Sequence, residues 1–204
     1  MNRGPLIAFE GIDGSGKSTQ IRLLADRLAA AGIAHVVTFE PTKGETGRRI
    51  REMARSGEAV APEQELEWFM TDRAEHVREL IEPACARGEW VLTDRYYLST
   101  VAYQGARGLD ADTILAESEA RFPAPDLTLV FEIDARRGLD RVTSRGGVAE
   151  PVFEELGFLE RVAAVFARID RPDIARIDAD RKEHEIAADV RRIVAERLGV
   201  DLDT

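Results

Sequence analysis

The sequence predicts an α/β protein built around a parallel sheet, and three observations carry that reading. Five short apolar runs recur along the 204 residues: Leu6 to Phe9, His35 to Phe39, Trp90 to Thr93, Leu127 to Ile133 and Ile174 to Ile177. Continuous apolar runs of this length read as strands buried on both faces. Between them lie longer amphipathic stretches, and strands that alternate with helices imply a parallel sheet with right-handed crossovers. Charged residues follow most of the runs, which places polar chemistry at one rim of the sheet.

Taken in order, the first run ends in Glu10-Gly11 and leads into a helical stretch, Lys17 to Ala31. The second ends in Glu40-Pro41-Thr42 and is followed by arginines that coat a helix, then by a long helix over Pro62 to Ala86. The third ends in Asp94-Arg95 and precedes a polar helix and a further helix over Ala111 to Ala120. Helices over Ala135 to Thr143, Val152 to Ile169 and His184 to Leu198 flank the last two runs, which end in Asp134 and Asp178. In open sheets of this kind, ligands bind beyond the carboxyl ends of the strands. No repeat, low-complexity tract or Pro/Ser-rich linker marks a boundary, so residues 1–204 are expected to form a single domain.

Composition excludes several classes. Hydrophobic residues are 44% and charged residues 32% of the chain, which is ordinary for a globular protein. No apolar run reaches the ~18 to 20 residues of a membrane span, and Met1 to Gly4 leaves no room for a targeting segment before the first strand. A cytoplasmic protein that does not act at a membrane is expected. A net charge of −10 argues against general affinity for nucleic acid. The single cysteine, Cys85, forms no disulfide framework and shares no metal-ligand spacing with His35, His76 or His184, none of which is given a catalytic role.

The first motif is Gly11-Ile12-Asp13-Gly14-Ser15-Gly16-Lys17-Ser18, which satisfies G-x-x-x-x-G-K-[ST] between a strand and a helix. Its backbone amides and the helix N-terminus suit phosphates, Lys17 suits the β- and γ-phosphates, and Ser18 suits Mg²⁺. A P-loop for a nucleoside triphosphate follows, with Gly11, Asp13, Gly14, Ser15, Gly16, Lys17, Ser18 and Thr19 as its binding residues.

A second clue lies on the long helix, where the apolar stripe Leu66, Met70, Val77, Leu80, Ala84 is interrupted by Arg73, with Phe69 four residues before it. A planar base stacked on Phe69 with Arg73 at its edge accounts for both. A core Phe with a structural Arg paired to Asp72 or Asp94 accounts for them equally. Asp94-Arg95-Tyr96 caps the third strand, where Asp94 can face Mg²⁺ and Arg95 a phosphoryl group, since the planar guanidinium binds phosphate oxygens in pairs. Later, Arg136, Arg137, Arg141 and Arg145 precede Gly146-Gly147, a pattern suited to a lid that closes over phosphates, placed at about residues 141–155. For each of these arginines a solvated helix face remains the alternative.

Together these motifs resemble the thymidylate kinase family of P-loop nucleoside monophosphate kinases. The matches are Phe9 to Thr19, Glu40-Pro41, Asp72-Arg73 and the run Asp94-Arg95-Tyr96-Tyr97-Leu98-Ser99-Thr100-Val101-Ala102-Tyr103-Gln104-Gly105. The resemblance implies a three-layer fold with a five-stranded sheet in the order 2-3-1-4-5, a homodimer, and Mg²⁺-dependent transfer of the ATP γ-phosphate to dTMP, a step toward dTTP. By position it implies that Asp13 holds the sugar 3′-hydroxyl, Phe69 stacks on thymine, Arg73 bonds the base edge and Arg95 binds the dTMP phosphate. It also implies that Ser99 and Gln104 line the base pocket, that Tyr103 presses on the deoxyribose, and that Ser18 and Asp94 serve the metal. Because Gly14 occupies the loop, the catalytic arginine is expected in the lid, at Arg141 or Arg145, beside Lys17 and Arg95. Two departures stand out: Phe39-Glu40-Pro41-Thr42-Lys43-Gly44 stands where the family commonly has Arg-Glu-Pro-Gly-Gly-Thr, so the usual arginine is absent and Lys43 is the candidate substitute, and Pro151-Val152 lies in the distal lid. A kinase for another pyrimidine monophosphate, or a non-catalytic nucleotide-binding regulator, are the competing readings.

Overall fold

The computed structural model describes residues 3–144 and 156–202. Five parallel strands, β1 (Leu6–Glu10), β2 (His35–Phe39), β3 (Trp90–Asp94), β4 (Leu127–Glu132) and β5 (Ile174–Asp178), form one sheet in the order β2-β3-β1-β4-β5. This is the order that the resemblance implied. Side chains alternate across a strand, so Leu6 and Ala8 of β1 face one apolar layer while Ile7 and Phe9 face the other.

On the second of these faces α1 (Lys17–Ala30) and α9 (Glu183–Leu198) pack through Leu24, Leu28, Val190 and Val194, all 0–1% exposed. Full burial of one such side chain stabilises the fold by about 1.5–3 kcal/mol. The opposite face is covered chiefly by α3 (Pro62–His76), α5 (Tyr97–Ala106) and α8 (Leu156–Arg168), with α2 (Glu45–Ser56) beside α3. Two further helices, α6 (Ala111–Arg121) and α7 (Ala135–Ser144), complete the connections.

The structure corrects three expectations. The runs at β2 and β5 are not buried on both faces: each has a single neighbour in the sheet, and Val37 and Phe39 of β2 are 50% and 40% exposed. The long helix is not uniform. After α3 it widens into a π-helical turn over Val77–Ile81 before α4 (Glu82–Ala86). Pro83 has no amide to donate to the carbonyl one turn back, and a π turn absorbs that lost bond. The helix expected from Val152 begins among the described residues at Leu156, and residues 152–155 lie outside them.

The carboxyl ends of the strands do gather the charge. Glu10, Asp94, Glu132 and Asp178 close β1, β3, β4 and β5, and Glu40 follows β2. The loops after β1 and β3 therefore meet at one rim, which positions everything that follows.

Candidate active site

At the end of β1 the chain turns through Gly11, Gly14 and Gly16 at φ of 133°, 76° and 94°, the left-handed side of conformational space that glycine enters without strain. Gly14 has a second reason to be glycine. A Cβ there would stand 2.0 Å from the carbonyl oxygen of Gly138, so the loop and α7 touch backbone to backbone. Any side chain at position 14, arginine included, would drive them apart.

Lys17 opens α1 and is buried, its ammonium folded back to donate to the carbonyls of Gly11 and Ile12, both at 3.0 Å. Burial and the Arg95 charge pull its pKa down against the pull of Asp94, Asp13 and Glu10. The Ser18 hydroxyl donates to Asp94 at 2.6 Å. Ser15 carries a buried hydroxyl with no hydrogen-bond partner. Asp13, Gly16, Lys17, Ser18, Thr19 and Asp94 line a small polar cleft here. Its Ser18–Asp94 pair consists of hard oxygens, the ligand type that Mg²⁺ takes from a protein when phosphates and water supply the rest.

A second cleft shares Asp13 with the first and is walled by Arg51, Phe69, Arg95, Ser99 and Tyr103. Arg95 dominates it. Its Nη2 donates to Asp13 at 2.7 Å and to the Tyr103 hydroxyl at 3.0 Å, while Nη1 donates to Ser99 Oγ at 2.9 Å. The Tyr103 hydroxyl in turn donates to Asp13 at 3.2 Å, and the guanidinium lies 4.8 Å from the Tyr103 ring centre. Burial alone would push the Asp13 carboxyl up, but Arg95 and Lys17 outweigh it and hold the group below its ordinary pKa. Burial likewise opposes the charge on Arg95, and Asp13 overrides it, so the guanidinium remains charged.

The backbone of Arg95 is as unusual as its side chain. Among the described residues it is the one non-glycine at positive φ, 69°, a conformation costing of order 1–3 kcal/mol. The amide of Arg95 donates to the Phe9 carbonyl at 2.9 Å and its carbonyl accepts from the Thr93 hydroxyl at 2.8 Å. These bonds hold the turn between β3 and α5 in place.

Arg73 and Gln104 lie behind the cleft wall, at 1% and 0% exposure. The structural alternative for Arg73 holds in kind, but its partner is neither Asp72 nor Asp94. Its Nε and Nη2 both donate to one Glu40 oxygen at 2.9 and 2.7 Å, and Nη2 also reaches the Thr100 hydroxyl at 2.8 Å. Asp72 instead accepts from the amide and hydroxyl of Thr42, and Asp94 from Ser18. The other Glu40 oxygen sits 2.9 Å from His76 Nδ1, whose Nε2 meets Thr38 Oγ1 at 2.7 Å. Arg73 Nη1 is buried without a hydrogen-bond partner, so one donor of this network is left over. Gln104 donates to Glu65 at 2.7 Å, and Glu65 pairs with Arg107 at 3.0 Å. Glu65 is raised by this burial despite Gln104 and Arg107.

Arg141, on α7, donates to the Ala179 carbonyl at 3.0 Å and stands 3.7 Å from Asp180, tying the helix to the loop after β5. Arg145 and the pair Gly146-Gly147 lie outside the described residues, as does most of the expected lid.

Three contributors to the site escaped the sequence reading. Arg51 was one arginine among several after β2; Arg48 and Arg49 do stay at the surface, whereas Arg51 turns inward, donating to the carbonyls of Pro41 and Thr42 and lining the cleft opposite Arg95. His76 has no partner pattern in the sequence, although its place three residues after Arg73 puts both on one helix face. Glu10 was read as one of several rim charges; it is fully buried, accepting from the amides of Tyr96 and Ser99 and from the Ser99 hydroxyl.

Comparison with known proteins adds a family to this geometry. A family model described as thymidylate kinase matches residues 9–190. A thymidylate kinase of Akkermansia muciniphila is 45% identical over 196 residues, covering 96% of this chain and 94% of that protein. One of Desulfotalea psychrophila is 43% identical, covering 95% and 97%, and one of Xanthomonas euvesicatoria pv. vesicatoria 43%, covering 98% and 89%.

Proposed function

The chain belongs to the thymidylate kinase family, and from that premise we propose that it transfers the γ-phosphate of ATP to dTMP with Mg²⁺, as one catalytic unit. The observation that carries this reading is the junction at Asp13. A phosphate loop carrying Lys17 and an unpartnered Ser15 hydroxyl opens on one side of it, and on the other lies a cleft bearing two guanidiniums, an aromatic face and a tyrosine hydroxyl. A nucleotide-binding regulator has no need of the second cleft.

ATP phosphates occupy the loop, with Lys17 released from the Gly11 and Ile12 carbonyls to reach the β- and γ-oxygens. Ser18 and Asp94 would hold Mg²⁺, which would supply charge neutralisation at those oxygens. In the second cleft Arg95 and Arg51 receive the dTMP phosphate, which replaces Asp13 as the anion on Arg95. Asp13 is thereby freed for the 3′-hydroxyl, and Phe69 stacks on thymine. Tyr103 covers the deoxyribose where a 2′-hydroxyl would otherwise project. Arg73, with its spare Nη1, and Gln104 support the base from behind the wall. Phosphoryl transfer asks a protein mainly to align the two oxygens and neutralise spreading charge. The loop, Arg95 and a lid arginine, Arg145 or Arg141, do this here.

Homodimer assembly follows from the family, and a cytoplasmic location, with no nucleic-acid partner, from the acidic, cysteine-poor composition. Among the described residues no helix is long and apolar enough to cross a membrane. Coupled ADP release across dTMP, dUMP, dCMP and AMP tests substrate and activity together. Turnover on dTMP at least tenfold above the others is expected, and equal turnover on all four would refute the assignment.

A further inference from the structure

Glu10 lines neither cleft itself, yet it is a carboxylate at 0% exposure, and such a group is costly to bury without a reason. Its two oxygens do different things. Oε1 accepts from the amides of Tyr96 and Ser99 at 2.9 and 3.0 Å, the first donors after the strained Arg95. Oε2 accepts the Ser99 hydroxyl proton at 2.5 Å, which leaves a lone pair of Ser99 Oγ directed at Arg95 Nη1 at 2.9 Å. One carboxylate thus grips the backbone on the far side of Arg95 and, through a single hydroxyl, fixes the rotation of its guanidinium.

We infer that Glu10 is a positioning residue for the monophosphate site: it holds Arg95 at positive φ and aims its fork at the substrate phosphate. The inference rests on the reading of Arg95 as the dTMP phosphate ligand. A carboxylate is required rather than any acceptor, because the Ser99 hydroxyl must donate away from Arg95. In Glu10→Gln the amide nitrogen facing Ser99 is itself a donor. It competes with Arg95 for the Ser99 oxygen and leaves the hydroxyl proton to turn toward the guanidinium. Burial raises the Glu10 carboxyl to about 7, so the ionised form is secured by measuring at pH 8.

The test compares dTMP with thymidine, which lacks the phosphate, as calorimetric ligands for wild type and Glu10→Gln at pH 8. The expected result is a loss of about tenfold in dTMP affinity with thymidine unchanged within twofold. Equal losses for both ligands would mean general damage to the fold and would overturn the inference, as would an unchanged dTMP affinity. A wild type that binds thymidine but gains nothing from the phosphate overturns the role of Arg95 and this inference with it, whereas a wild type that binds neither refutes the functional reading itself. Should Glu10→Gln fail to fold, Glu10→Asp keeps the carboxylate but shortens its reach to the Ser99 hydroxyl. It is expected to show the same phosphate-selective loss, and an equal loss for both ligands, or none, overturns the proposal in the same way.

Discussion

The buried Glu10 carboxyl makes a prediction about stability that is independent of catalysis. Its pKa rises from 4.5 to about 7, because desolvation outweighs the Ser99 hydroxyl, the Arg95 charge and the amides of Ser99 and Tyr96. Lys17 and Tyr97 feel the same carboxylate from neighbouring elements. A group whose pKa is raised by folding binds its proton more tightly in the folded chain. Its contribution to stability is therefore complete below the unfolded value and is lost as pH rises through the folded one. With ~1.4 kcal/mol for each pKa unit, the loss between pH 4.5 and pH 8 is about 3 kcal/mol, most of it between pH 5 and pH 8. Glu10→Gln has no proton to lose. Urea unfolding of wild type and variant at pH 5, 6, 7 and 8 isolates the effect as the difference between the two proteins, since every other titrating group is shared. That difference should move against the wild type by about 2–3 kcal/mol across the series. A difference that stays flat within about 0.5 kcal/mol would refute the claim that desolvation governs this carboxyl.

Three further outcomes follow from the site. Lys17→Ala should fold normally and lose at least a thousandfold in turnover, because the hydrogen bonds of the ammonium go to two backbone carbonyls of its own loop; the measurement is steady-state ADP release, and near-normal turnover in a folded variant would contradict the phosphate-loop assignment. Tyr103→Ala should narrow the preference for dTMP over its ribose analogue, read as the ratio of kcat/KM values, because the ring lines the cleft beside Asp13; an unchanged ratio removes Tyr103 as the discriminator. Gly14→Ala should cost about 1–3 kcal/mol of stability together with most activity, since the new methyl meets the Gly138 carbonyl oxygen at 2.0 Å in a left-handed conformation; thermal unfolding and ADP release check both halves.

Much of this protein is legible in one dimension because the responsible physics is local. The phosphate loop is a contiguous octet, Gly11 to Ser18, whose glycines are dictated by backbone φ. The core strands β1, β3 and β4 are apolar throughout because both of their faces are covered, and the charges that end the strands mark the rim that binds ligands. The sheet order came by resemblance rather than periodicity, since alternation of strands and helices implies parallel pairing without saying which strand neighbours which. What the sequence could not reveal is partnership across long separations. Arg73 demanded a buried anion, but nothing local favoured Glu40, 33 residues away, over the adjacent Asp72. Glu10 and Ser99, 89 apart, meet only because β1 and β3 pair side by side and end at the same height. For the same reason the exposure of β2 was hidden: Val37 and Phe39 are as apolar as core residues, and only their place at the edge of the sheet leaves them uncovered. Chemistry carried by neighbours in the chain is written in the sequence, whereas the pairing that aims Arg95 and anchors Arg73 exists only once the sheet has brought distant strand ends to one rim.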